Sequence, residues 1–563
     1  MMEYTFERKG TEKGVGWFSC EPKKEMTFES GLEYSRAHPN DQFMRKHLLD
    51  RAAALDPDEL AERIDGSRKS GDFHLLALCF EAALLYGKFD PLRSLFSSID
   101  AEPLAARTPL IYIRWAREKD TRENLYWLRQ FSRNANLLAP LPGPDEMAFP
   151  IPFSPEDLTR WRSRVVSIRH IASGRKPPKS APEGRIQRDA ARRITAELER
   201  SGVLSGWETR PDATLSPYAV ERPWNLDVTV RNGRNHWRLT GSPESYGRGL
   251  NIHQGRISCV MEAVERYSAF AAFDRDRAVG FKAGHRLVKG RYSDLVAQGL
   301  LALDPNEMCL EVPYRDQEIH WVPGERMDGT GGRPVYVPAQ FVFLFPNLDE
   351  VSLTSGLPSN GLAAGHTVTE ARLAGLLEVL ERDAEKVVPF SEERCFLLEA
   401  RDRKVSELLE GCARKGIHIR LMDMTSEFGV PCYRAFVQGP GGVILKGTGA
   451  HLDGKRAAVA AMTEIPYPYP YWFGSMPAPR GLDTVSYEDL PDYSTGSAEG
   501  DLRLLEKLLL LNGYHPVYVD LTREDTGIPV VKTLVPGLEI LTVLDRFSSL
   551  GIRQFGHYPG ISR

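Results

Sequence analysis

The chain has 563 residues, of which 26% are charged and 42% hydrophobic; this is too long for one ordinary core, and the balance is that of a globular protein rather than a disordered or membrane-spanning one. A net charge of -4 gives no general attraction to nucleic acid or anionic lipid, so neither is an expected partner. No apolar run approaches the roughly 20 residues that cross a bilayer, and Met1 to Lys13 lacks the apolar core of a signal peptide, which makes the cytoplasm the expected compartment.

Residues 1–40 show no sustained periodicity and are expected to be irregular. From 41 to 175 apolar residues recur at three- and four-residue intervals, as in Phe73 to Tyr86 and Leu110 to Leu128. That spacing predicts successive amphipathic helices in a bundle or repeat-like domain. Residues 176–184 mix Pro and Lys without apolar periodicity and read as a linker. A helix is predicted from about Ile186 to Ser201. Beyond it β-rich runs, including Trp224 to Val230, Val335 to Leu344, Val443 to Leu445 and Val517 to Val519, alternate with helical ones. The fold class is therefore α+β, with an α/β domain over 185–563 preceded by an all-helical one. The cysteines (Cys20, Cys79, Cys259, Cys309, Cys395, Cys412 and Cys432) form no CxxC pair and are expected to pack as small hydrophobes.

Two segments concentrate chemistry. In the first, a Ser-Tyr-Gly-Arg-Gly loop containing Arg248 precedes Ser258, Glu262, Glu265 and Arg266. Spacings of four, seven and eight place these four residues on one helical face, in a helix that is otherwise mostly apolar. The second repeats the pattern: Ser359, Asn360 and His366 in a Gly-containing loop, then Glu370, Glu378, Glu381 and Arg382 on one face of a Leu-rich helix. A single ExxER motif is most simply a solvated face with local ion pairs. Two copies, each behind a polar glycine loop, point instead to carboxylates that need a compensating cation. Glu262, Glu265, Glu378 and Glu381 together would suit Mg²⁺, a hard cation that combines carboxylates with phosphate oxygens. Arginines would pair with phosphates, and glycine-flanked backbone N–H groups would approach an anion. No GxxxxGK[ST] phosphate loop is present.

The ordered set SxxxExxER, SNGxAAG followed by EA, and ExxERD, with a GRG upstream, resembles the YcaO superfamily from about Arg185 to the C-terminus. The resemblance implies an ATP and Mg²⁺ site between helices. Glu262, Glu265, Glu378 and Glu381 would bind Mg²⁺ and phosphates. Arg248, Ser258, Arg266, Ser359, Asn360, His366, Glu370 and Arg382 would surround the nucleotide. It further implies an enzyme of the cyclodehydratase or thioamide synthetase class, acting in RiPP-type peptide modification. Such an enzyme uses ATP to phosphorylate a backbone amide oxygen in a peptide or protein substrate and yields a thioamide, azoline or related product. The chain ends at His557 to Arg563 without the proline-rich tail of azoline-forming members, which favours a non-azoline product. After Thr463 and Glu464, where many members carry a QxR element, the prolines from Pro466 to Pro470 are expected to end the helix. The same stretch, through Trp472, could also grip extended peptide. A TfuA-like or sulfur-donating partner and a homodimer are both compatible with the resemblance. The competing reading is an ATP-binding accessory protein of the same descent, without turnover.

Overall fold

The computed structural model describes residues 1–9, 17–172, 184–211, 215–356, 359–465, 474–541 and 543–559. The helical stretch begins where Asp41 accepts the N–H groups of Phe43 and Met44 to cap Gln42–Ala53. Asp56 forms a capping box with Glu59 at the start of Pro57–Ser70, and Asp72 caps Phe73–Leu85. Each cap satisfies backbone donors that the first helical turn leaves unpaired. Leu48, Ile64, Leu76 and Ala82 then close a common core. The periodic run Leu110 to Leu128 forms two helices, Tyr112–Lys119 and Arg122–Leu137, because Thr121 caps the second. Among the described residues from 41 to 172 there is no strand.

The expectation of an irregular segment at 1–40 is corrected. Met2–Lys9 and Trp17–Pro22 are antiparallel strands, and Phe28–Ala37 is a helix capped by Thr27. Met2–Lys9 pairs in parallel with Asn235–Gly241, so the first hairpin joins a sheet whose remaining four strands lie more than 200 residues onward. The sheet runs Trp17–Pro22, Met2–Lys9, Asn235–Gly241, Leu226–Asn232, Ala272–Asp274 and Arg277–Val279. Residues 173–183, which hold most of the expected linker, lie outside the described residues; Gly184 already opens the helix Gly184–Arg200.

Two further sheets follow. One orders Gly332–Pro338, Ile319–Met327, Val517–Asp520, Val530–Leu534 and Leu362–Ala364, with Val288–Gly290 alongside Ile319–Met327. The other orders Ile444–Ala450, Cys432–Gln438, Arg420–Asp423, Cys395–Glu399 and Asp483–Ser486. Tyr218–Pro223 and Glu244–Gly249 form a two-stranded ribbon. The GRG expected in a loop is therefore in a strand, with Arg248 opposite Ala219. All seven cysteines are free, and six of them are buried.

Candidate functional site

The two ExxER segments form the helices Ile252–Ala269 and Val368–Val387. Asn251 caps the first helix by accepting the N–H groups of His253 and Gln254. Thr367 caps the second by accepting from Glu370 N–H. The strand Glu244–Gly249 lies directly on the first helix because Gly247 carries no side chain. A Cβ there would stand 1.9 Å from the Gly255 carbonyl oxygen and 2.3 Å from the Cys259 nitrogen.

This close approach aims backbone donors at the acids. Tyr246 N–H donates to Glu262 Oε2 at 2.7 Å, and Ala364 N–H to Glu265 Oε1 at 3.0 Å. Ala450 N–H donates to Glu381 Oε2 at 3.0 Å, and Gly361 N–H serves Glu378. Each of the four glutamates is thus held by a peptide group from an adjoining strand or turn. The bond from Ala364, at the end of the second segment's loop, to Glu265 on the first helix brings the two motifs together.

Electrostatics agree with the geometry. Glu262, Glu378 and Glu381 keep 31%, 31% and 15% of their side-chain exposure, so they line a recess that stays open to solvent. Loss of water pushes Glu265 and Glu381 up to about 8 and raises Glu262 and Glu378 as well. Glu378 reinforces the rise at both Glu265 and Glu381. Opposing this, Arg266 lies 3.9 Å from Glu262, and Arg382 lies 3.6 Å from Glu381, 4.0 Å from Glu378 and 3.1 Å from Glu385. Carboxylates so far desolvated favour a cation in the recess.

The other expected residues divide. Asn360 is buried; its Nδ2 donates to the Glu539 carbonyl at 3.0 Å, while its Oδ1 has no partner among the described residues. Ser359 sits in the turn ahead of Leu362, its carbonyl accepting from Leu362 N–H at 3.3 Å. Glu370 accepts the N–H of His366 at 2.9 Å and so closes the entry to its own helix. Ser258 and His366 are exposed. Arg248 is engaged by Glu464, through the carbonyl at 2.7 Å and the carboxylate at 2.9 Å.

Two charged groups escaped the sequence reading. Glu464 raises both Glu262 and Glu381, which makes it a fifth acid at the recess. Lys532 is buried on the strand Val530–Leu534; loss of water lowers it to about 7 while Glu378 supports its charge, and its Nζ donates to the Asn360 carbonyl at 2.6 Å. A lysine inside the apolar run Val-Val-Lys-Thr-Leu was the signal available for it. Residues 466–473, which carry the expected helix stop and the aromatic peptide grip, lie outside the described residues, as does the end of the tail from 560.

The donor set suits Mg²⁺ bound with phosphate. It offers carboxylate oxygens, an unpartnered buried amide oxygen and flanking guanidinium groups. Among the described residues no group of three or more His, Cys, Asp or Glu side chains is gathered as metal ligands.

Comparison with known proteins gives a consistent result. The family model described as YcaO cyclodehydratase, ATP- and Mg²⁺-binding, matches residues 246–466 and 470–539. An uncharacterized protein from Methanothermobacter thermautotrophicus is 31% identical over 338 residues, covering 53% of this chain and 82% of its own length. A second relative, from Rhizobium leguminosarum bv. trifolii and named for its position in the tfuA 3′ region, is 30% identical over 237 residues; the match spans 39% of this chain and 53% of that protein. The solved YcaO from Methanopyrus kandleri bound with AMPPCP and Mg²⁺ is 25% identical with a TM-score of 0.46, covering 65% of this chain and 94% of its own.

Proposed function

From the premise that the chain belongs to the YcaO cyclodehydratase family, ATP-dependent enzymes that bind ATP and Mg²⁺, we propose that it activates a backbone amide in a peptide or protein and that its product is a thioamide or another non-azoline group. The observation that carries this reading is the meeting of Glu262, Glu265, Glu378 and Glu381 in one recess, each fixed by a backbone N–H. These four would hold Mg²⁺. Arg266 and Arg382 would face phosphate oxygens, joined by Arg248 once released from Glu464. Asn360 would offer its unpartnered Oδ1, and Ser359 and Ser258 would border the same loop and helix. His366 and Glu370 would shape the entry to the second helix.

Bound ATP supplies the phosphoryl group that turns the amide oxygen into a phosphate leaving group. The chain's part is to position and to neutralise. The two arginines offset negative charge as it develops. For a thioamide, a sulfur nucleophile adds to the amide carbon, and the carbon–oxygen bond breaks as phosphate departs. The relative named for the tfuA 3′ region supports a TfuA-like partner. Intact-mass measurement of candidate peptides after incubation with ATP, Mg²⁺ and sulfide tests the reading. Exchange of oxygen for sulfur, dependent on Glu381, is expected; loss of water alone would instead assign an azoline.

A further inference from the structure

A cavity of about 750 Å³ lies outside the glutamate recess, at the far end of the six-stranded sheet. Four cationic side chains line it, Arg231, Arg275, Arg286 and Lys289, against two carboxylates, Asp274 and Asp276. The sign is the reverse of the chain's net charge of -4.

The cations come from three adjoining pieces of backbone. Arg275 N–H donates to the Arg231 carbonyl at 2.7 Å, which sets the two residues side by side where Leu226–Asn232 meets Ala272–Asp274. Arg286 reaches Asp276 at 3.3 Å, and Lys289, on Val288–Gly290, reaches Glu318 at 3.2 Å. Arg231 and Arg275 are exposed and have no ion-pair partner among the described residues.

Arg275 stands at φ 54° in the hairpin turn between Ala272–Asp274 and Arg277–Val279. Glycine or asparagine holds that left-handed conformation more cheaply, by about 1 kcal/mol or more. A free arginine there is therefore placed against the local backbone preference.

The floor is rigid. His320 lies between Glu350, 2.6 Å from its Nδ1, and Asn232, whose Nδ2 is 3.1 Å from its Nε2. Asn232 in turn donates to the Arg275 carbonyl at 3.2 Å and accepts from Asp349 N–H at 2.9 Å. The network holds the turn that carries Arg275.

The lining contains no Phe, Tyr or Trp. Its volume exceeds a single phosphate several-fold. Cations spread along a hairpin tip and a strand suit successive carboxylates on an extended chain. The hairpin follows directly on the helix that carries Glu265, so the groove and that carboxylate belong to one continuous piece of chain.

We infer that this groove binds an acidic, extended stretch of a peptide through Arg231 and Arg275, holding it outside the glutamate recess. The link to the substrate rests on the functional reading above; the site itself does not.

The test uses the full chain and a fluorescein-labelled deca-glutamate, with deca-glutamine as control, read by fluorescence anisotropy. Saturable binding of the glutamate peptide alone is expected, weakening with added salt and falling at least about tenfold in Arg231→Glu/Arg275→Glu. Both positions are exposed, and nucleotide binding measured on the same variant should be unchanged. Equal affinity of the double variant for the peptide, or absence of peptide binding to the parent chain, would overturn the proposal. So would displacement of the peptide by tripolyphosphate at equal or lower concentration, since the groove would then be a phosphate site. Loss of nucleotide binding in the parent chain would count against the functional reading and leave the groove standing.

Discussion

The two glutamate helices carry the same motif but are anchored differently. Ile252–Ala269 rests on a strand through glycine contacts, and its arginine, Arg266, lies 3.9 Å from Glu262 with 35% of its side chain exposed. Val368–Val387 is fastened from beneath. Asp383, two residues past Glu381, accepts both Nη groups of Arg553 at 2.5 and 2.6 Å, while Arg553 Nε donates to Glu427 at 2.6 Å. Phe555, from the same terminal helix Ile552–Gly556, packs with Trp127, Phe131 and Leu158 of the helical region. One motif is thus held by its neighbouring strand. The other is tied through Ile552–Gly556 to the helical region.

Cutting that tie should have the largest effect. Arg553→Met leaves buried Asp383 without its ion pair and Glu427 with His557 alone, and should cost about 3–5 kcal/mol in urea unfolding. No single substitution among the charged residues of the first helix should approach that cost. A comparable loss from Arg266→Met would mean that the two helices are anchored alike.

Next comes the response to ligand. Glu381→Gln and Glu265→Gln each remove a carboxylate that burial has pushed up to about 8, so neither should destabilise the free protein. The parent chain should gain about 2.7 kcal/mol at a hundredfold excess of ATP and Mg²⁺ over Kd. Both variants should lose most of that gain in thermal unfolding. If only the second-helix variant lost it, the metal would sit on one helix rather than between the two.

The anchor also has a pH signature. Although burial opposes it, Arg553 and His557 hold Glu427 down to about 2, below the ordinary carboxylate value. A depressed carboxylate contributes stability that is complete above its unfolded value, near 4.5, and is lost as pH falls towards 2. The urea midpoint should therefore drop between about pH 4.5 and 2, and Glu427→Gln should flatten that limb. No flattening would remove Glu427 from the anchor.

The parts legible in the sequence were those with local signatures. Repeats of three and four residues marked the helices, and the doubled ExxER marked the recess. Glu427 and Arg553 looked like any surface charges because they are 126 residues apart, and Asp383, although it closes the ExxERD motif, gave no sign of a partner 170 residues onward. The pairing of Met2–Lys9 with Asn235–Gly241 was hidden for the same reason: a parallel partner leaves no turn signal between the strands. Glycine in Gly247-Arg248-Gly249 suggested a loop, whereas its use is close packing of strand on helix.

The smallest effect is the most discriminating. Arg266 and Arg382 occupy equivalent places after their glutamates, but Arg382 is shared among Glu378, Glu381 and Glu385, whereas the ion pair recorded for Arg266 is the long, part-exposed one to Glu262. Water screens such a pair, so Arg266→Ala should change unfolding free energy by no more than about 1 kcal/mol. If Arg266 nonetheless faces phosphate, the same variant should bind ATP and Mg²⁺ about tenfold more weakly by titration calorimetry, because a charge-assisted contact to phosphate is lost. Unchanged affinity would confine Arg266 to its local ion pair and leave Arg382 as the principal arginine of the recess.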